Sequence, residues 1–162
     1  MNKIYGIGLP RTGGTSLAAA LRKFDVHGSN TCIVTNVMTT TSQVSGATRD
    51  LEFKINNEFP NHILADIESW MKSHNVDSTD LFIMTTRDTK EWKKSLYKYN
   101  YTEGSAGIPY KDEYETFVRN NIDPARLLVI DWNDCNDNCW ERISDFIGKP
   151  LVTDEEFPCE NC

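Results

Sequence analysis

The feature that most limits what this chain can be is the run Gly8-Leu9-Pro10-Arg11-Thr12-Gly13-Gly14-Thr15, set between two apolar stretches. Residues 4 to 8 (IYGIG) read as a short buried strand, and Ser16 to Phe24 (SLAAALRKF) as a helix without breakers. A glycine-rich turn from strand into helix leaves backbone amides unpaired, and with the positive end of the helix dipole these form an anion cradle. The bland alternative is a turn that only packs helix on strand. Pro, Arg, two Gly and two Thr within residues 10 to 15 favour the cradle. Laid on the pattern G-x4-G-K-[ST], every fixed position fits except the Lys, where Gly14 stands. That Lys would hold the β and γ phosphates, so its absence counts against ATP or GTP hydrolysis. The cation has moved to Arg11, inside the loop.

The chain continues the alternation. His62 to Ala65 (HILA) reads as a second strand, Leu81 to Thr86 (LFIMTT) as a third and Leu127 to Asp131 (LLVID) as a fourth. Helices are expected over Ile67 to His74, Thr89 to Tyr99, Asp112 to Asn121 and Trp140 to Ile147, the last stopped by Gly148-Lys149-Pro150. Asn30 to Asp50 is rich in Thr and Ser and reads as loop, followed by a helix within Thr48 to Asn57; Asn100 to Pro109 has the composition of a mobile loop. Short apolar strands separated by helices imply an α/β fold, a three-layer α/β/α arrangement with a parallel central sheet. A length of 162 residues suits one domain spanning residues 1–162.

Composition narrows the partners. A net charge of −7 argues against a long nucleic-acid or anionic-membrane surface, which would need an excess of Lys and Arg. The first residues break their apolar run with Gly, Pro and Arg, and no later run approaches the roughly 18 apolar residues of a membrane span. The expectation is a cytoplasmic protein with no membrane and no nucleic-acid partner. Of five cysteines, Cys32 stands apart, while Cys135, Cys139, Cys159 and Cys162 form C-x3-C and C-x2-C pairs. They read as free thiols, with a zinc set or a disulfide as alternatives.

Two motifs carry a resemblance. GLPRTGGTSL resembles the 5′-phosphosulfate loop of the sulfotransferase family, P-[KR]-[ST]-G-T-[ST], with Gly14 in place of the family's common Thr. After the third strand, Arg87 leads to Ser95 eight residues on, the spacing of that family's 3′-phosphate motif. The tail is similar to a small sulfotransferase-like branch: Leu127 to Asp131, then Trp140 to Pro150, then Phe157-Pro158, although Cys159 stands where that branch commonly has His.

The resemblance implies a P-loop NTPase-like domain. It would move a sulfuryl group from 3′-phosphoadenosine 5′-phosphosulfate to a hydroxyl of a small-molecule or carbohydrate acceptor by in-line displacement, without a metal, leaving 3′-phosphoadenosine 5′-phosphate. Arg11 would neutralise charge on the bridging oxygen. Thr12, Gly13, Gly14, Thr15 and Ser16 would give amide and hydroxyl donors to the 5′-phosphate, and Arg87 and Ser95 would hold the 3′-phosphate. The general base would be Asp66, at the end of the strand preceding the third, or His27; Asp66 reads equally well as the N-cap of the helix beginning at Ile67, and Glu68 lies close by. Trp92, Trp132 and Trp140 read as packing residues. Two other functions stay open: a catalytically silent nucleotide-binding protein of the same fold, and a P-loop nucleotide kinase.

Overall fold

The computed structural model describes residues 3–24, 32–35, 51–53, 59–104, 108–133, 138–148 and 150. Strand β1 (Lys3–Gly6) runs through the loop into helix α1 (Gly14–Lys23). Next come β2 (Cys32–Thr35), β3 (Leu51–Phe53), α2 (Phe59–Ala65) and α3 (Ile67–Ser73). Then follow β4 (Leu81–Thr86), α4 (Thr89–Lys98), α5 (Lys111–Asn121), β5 (Leu127–Asp131) and α6 (Cys139–Ile147). The strands form one parallel sheet in the order β3-β2-β1-β4-β5. The mixed α/β expectation therefore holds.

Alternation along the strands divides the core, because successive side chains point to opposite faces. Ile4, Ile83 and Ile130 join Leu17 and Leu21 of α1 and Ile143 of α6 in one cluster. Tyr5, Phe82 and Met84 join Ile63 of α2, Trp70 of α3, Trp92 and Leu96 of α4, and Tyr114 and Val118 of α5 in the other. Burying both faces explains why the β4 run FIMTT carries no polar alternation. Gly148, at φ 69°, closes α6 in the left-handed conformation expected of the Gly-Lys-Pro stop.

Three readings of the sequence are corrected. HILA lies in helix α2, where Pro60 occupies the first turn and Ile63 is fully buried. A four-residue apolar run cannot by itself separate strand from buried helix, and the proline's fixed φ suits a helix start. β2 lies within the stretch read as loop, its Ile33-Val34-Thr35 being a β-branched run too short to show a period. β3 falls where a helix was expected and is held by pairing with β2, Val34 opposite Glu52.

The order of the strands fixes where a ligand can sit. From β1 the chain builds outward through β2 and β3, then returns to the other side of β1 with β4 and β5. The reversal lies between β1 and β4, and in open parallel sheets ligands bind beyond the carboxyl ends of the strands at such a point. The loop 8–13 leaves β1 there, and Arg87 leaves β4 there. No helix among the described residues is long and apolar enough to cross a membrane.

Candidate functional site

The loop is built on two close approaches. At Gly8 a Cβ would lie 2.7 Å from the Thr85 carbonyl oxygen of β4, so only glycine lets the chain leave β1 so near its neighbour. At Gly13, φ is 92° and a Cβ would run into the indole of Trp132. Trp132 Nε1 donates to the Thr12 carbonyl, and its own amide donates to Thr86 O at 3.1 Å. The residue after β5 thus clamps the loop to the end of β4. Beneath the loop, the Thr12 amide and hydroxyl both donate to Leu9 O, at 3.3 and 2.5 Å, and the Thr12 hydroxyl also meets that of Thr85 at 2.9 Å. Thr12 is fully buried, so its hydroxyl holds the turn closed.

Helix α1 begins directly after the loop, at the carboxyl end of β1. Its first backbone bond runs from Leu17 N to Gly13 O at 3.0 Å, so the amides of its opening turn point out of its end. Gly13, the N-cap, supplies no side chain, and the first turn holds no acidic residue. No acidic side chain of the first turn and no side-chain cap offsets the positive end of the dipole here.

Arg11 is the point where the two halves of the site meet. It adopts φ 66°, in the left-handed region, and its backbone carbonyl accepts from Arg87 Nη1 at 3.4 Å. Arg11 Nε donates to Ser95 Oγ at 3.0 Å, across 84 residues of sequence. Its guanidinium carbon lies 4.1 Å from the centroid of the Tyr99 ring. Helix α4 makes this possible by passing alongside the loop: Trp92, fully buried, donates from Nε1 to Pro10 O at 2.8 Å, and Ser95 and Tyr99 follow on the same side. Asp88, the neighbour of Arg87 in sequence, caps α4 by accepting from Glu91 N at 3.1 Å. Among the described residues no carboxylate forms an ion pair with Arg11 or Arg87.

Asp66 and Glu68 make no hydrogen bond or ion pair with this group. Because α2 replaces the expected strand, Asp66 stands between two helices as the N-cap of α3, its carboxylate accepting from Ser69 N at 3.1 Å and Ser69 Oγ at 2.8 Å. The Ser69 amide, then its hydroxyl, holds the Asp66 carboxyl below the usual carboxylate range. Glu68 lies exposed in the first turn of α3. His27 lies outside the described residues, as do Cys135, Cys159 and Cys162. Cys139 is disulfide-bonded, which corrects the free-thiol reading for that residue. Trp140 packs edge-on against Phe24, at 5.8 Å between centroids.

Tyr99 and Trp132 were missed as parts of the site. Tyr99 follows Ser95 by one helical turn, a spacing that could have placed both on the guanidinium. For Trp132 the only signal was its position directly after β5, beside the end of β4. Compared with protein-family models and with curated proteins, the sequence matches none.

Proposed function

We propose that this chain is a sulfotransferase with a three-layer P-loop NTPase-like fold, taking 3′-phosphoadenosine 5′-phosphosulfate as donor and a hydroxyl compound as acceptor. One observation carries the reading: Arg11 of the loop and Ser95 of the second motif are hydrogen-bonded at 3.0 Å. A chance match of spacing on α4 would have no reason to face the loop.

The residues fit a nucleotide bearing phosphates at both ends of its ribose. The opening turn of α1, with Gly13, Gly14, Thr15 and Ser16, offers amides to the 5′-phosphate, while Thr12 holds the turn. Ser95 accepts from Arg11 and keeps its own O–H for a phosphate oxygen, since a hydroxyl has two acceptor sites and one donor. Arg87 adds the charge. When bound, the donor supplies the sulfuryl group that is displaced from its 5′-phosphate. Arg11 would stabilise the negative charge that develops on the phosphate oxygen, as a donor of the oxyanion-hole type.

The proton of the acceptor hydroxyl needs a base. Asp66 has its carboxylate engaged by Ser69 and a lowered pKa, which suits a cap better than a general base. His27 is thus the side chain to substitute first. The engagement of Asp66 also favours a second reading, a nucleotide-binding protein of the same fold without turnover. Incubation with donor labelled in the sulfuryl group and a panel of phenolic and carbohydrate hydroxyls separates the two. Transfer of label supports the enzyme; nucleotide binding with no transfer to any acceptor supports the silent protein.

A further inference from the structure

Arg11 is held on two sides. Its Nε is used by Ser95, and its guanidinium carbon lies over the Tyr99 ring, 4.1 Å from the centroid. Among the described residues no acceptor meets its terminal nitrogens, so the fork that binds phosphate or sulfate through two parallel bonds is left open. The two restraints differ in kind. A single hydrogen bond at Nε still lets the guanidinium pivot, whereas a ring packed against it as well restrains that rotation. The restraints come from one helix, one turn apart, and the Arg11 backbone already sits in a conformation that non-glycine residues rarely adopt.

We infer that Tyr99 is a positioning residue, whose ring fixes the plane of Arg11 so that the open fork faces the anion before it arrives. The inference rests on the nucleotide reading above. Tyr99 is 49% exposed, so the ring can be altered without emptying the core. Its hydroxyl has no hydrogen bond among the described residues, so the ring itself does the positioning. Phenylalanine should replace it, and leucine, similar in size but without a π face, should not.

Calorimetric titration with 3′-phosphoadenosine 5′-phosphate tests this in five proteins: wild type, Tyr99→Phe, Tyr99→Leu, Arg11→Ala, and Tyr99→Leu combined with Arg11→Ala. An exposed cation–π contact corresponds to about a two- to fivefold loss of affinity in Tyr99→Leu, with Tyr99→Phe close to wild type. In the Arg11→Ala background, Tyr99→Leu should cause no further loss, because the ring acts only through the guanidinium. Unchanged affinity in Tyr99→Leu would overturn the proposal, as would an equal loss with and without Arg11, which marks a merely structural role. Failure of the wild type to bind this nucleotide at all would overturn the reading underneath, and the proposal with it. Melting curves on each variant confirm that the titrated protein is folded.

Discussion

Arg11 holds a backbone conformation that an L side chain resists, at φ 66°. The left-handed region costs a non-glycine residue about 1–2 kcal/mol, and such strain persists only where the surroundings over-determine it. Here the surroundings are Ser95, Tyr99 and the Arg87 contact to the Arg11 carbonyl. A prediction follows that inverts the usual rank of two small residues. Arg11→Ala and Arg11→Gly both lose the side-chain contacts, but only glycine relieves the backbone. Arg11→Gly should therefore be the more stable of the two by about 1 kcal/mol in urea unfolding. Alanine matching or exceeding glycine would show that the turn is unstrained. The loop was legible because a run of Gly, Pro, Arg and Thr between an apolar strand and a helix reads locally as an anion cradle, although the close approaches that require Gly8 and Gly13 come from Thr85 and Trp132, remote in sequence. Trp132 was not legible, since its contact with Gly13 depends on the pairing of β4 with β5.

Helix α3 shows how one residue's two readings separate at the scale of the element. Asp66 caps the helix through Ser69, and Asp77 binds the Thr79 amide in the turn that leads to β4. Hydrogen bonds to the charged form lower both pKa values below their ordinary 3.8. A carboxylate with a lowered folded pKa adds stability that is present above its unfolded pKa and lost as pH falls through the folded one. Asp66→Asn keeps much of the cap but cannot titrate. The wild type should therefore melt above Asp66→Asn at neutral pH, and the gap should close as pH falls below 3.8. A constant gap at all pH values would mean that the charge is not what the cap uses. Sequence read β4, α4 and α6 well because each has a long apolar stripe or a firm stop. It failed at α2, β2 and β3, which are short and whose state is decided by neighbours remote in sequence.

At the scale of the whole molecule, the strand reversal between β1 and β4 brings the loop and Arg87 to the same end of the sheet, and in a chain of net charge −7 neither Arg11 nor Arg87 has a carboxylate partner among the described residues. The disulfide at Cys139 is also a property of this scale. Such bonds persist in oxidising compartments and are rare in the cytosol, so this one runs against the cytoplasmic expectation. Thiol titration of the unreduced, denatured protein should find at most three of the five cysteines reactive; five would contradict the bond. We propose that the two motifs form one site for a nucleotide with phosphates on both sides of its ribose. Calorimetry on the wild type, comparing 3′-phosphoadenosine 5′-phosphate with AMP, addresses it directly. One charge-assisted contact from Arg87 and a weaker one from Ser95 predict a preference of at least about tenfold for the bisphosphate. Equal affinity for the two would contradict the claim and leave the Arg87 and Ser95 spacing without a ligand.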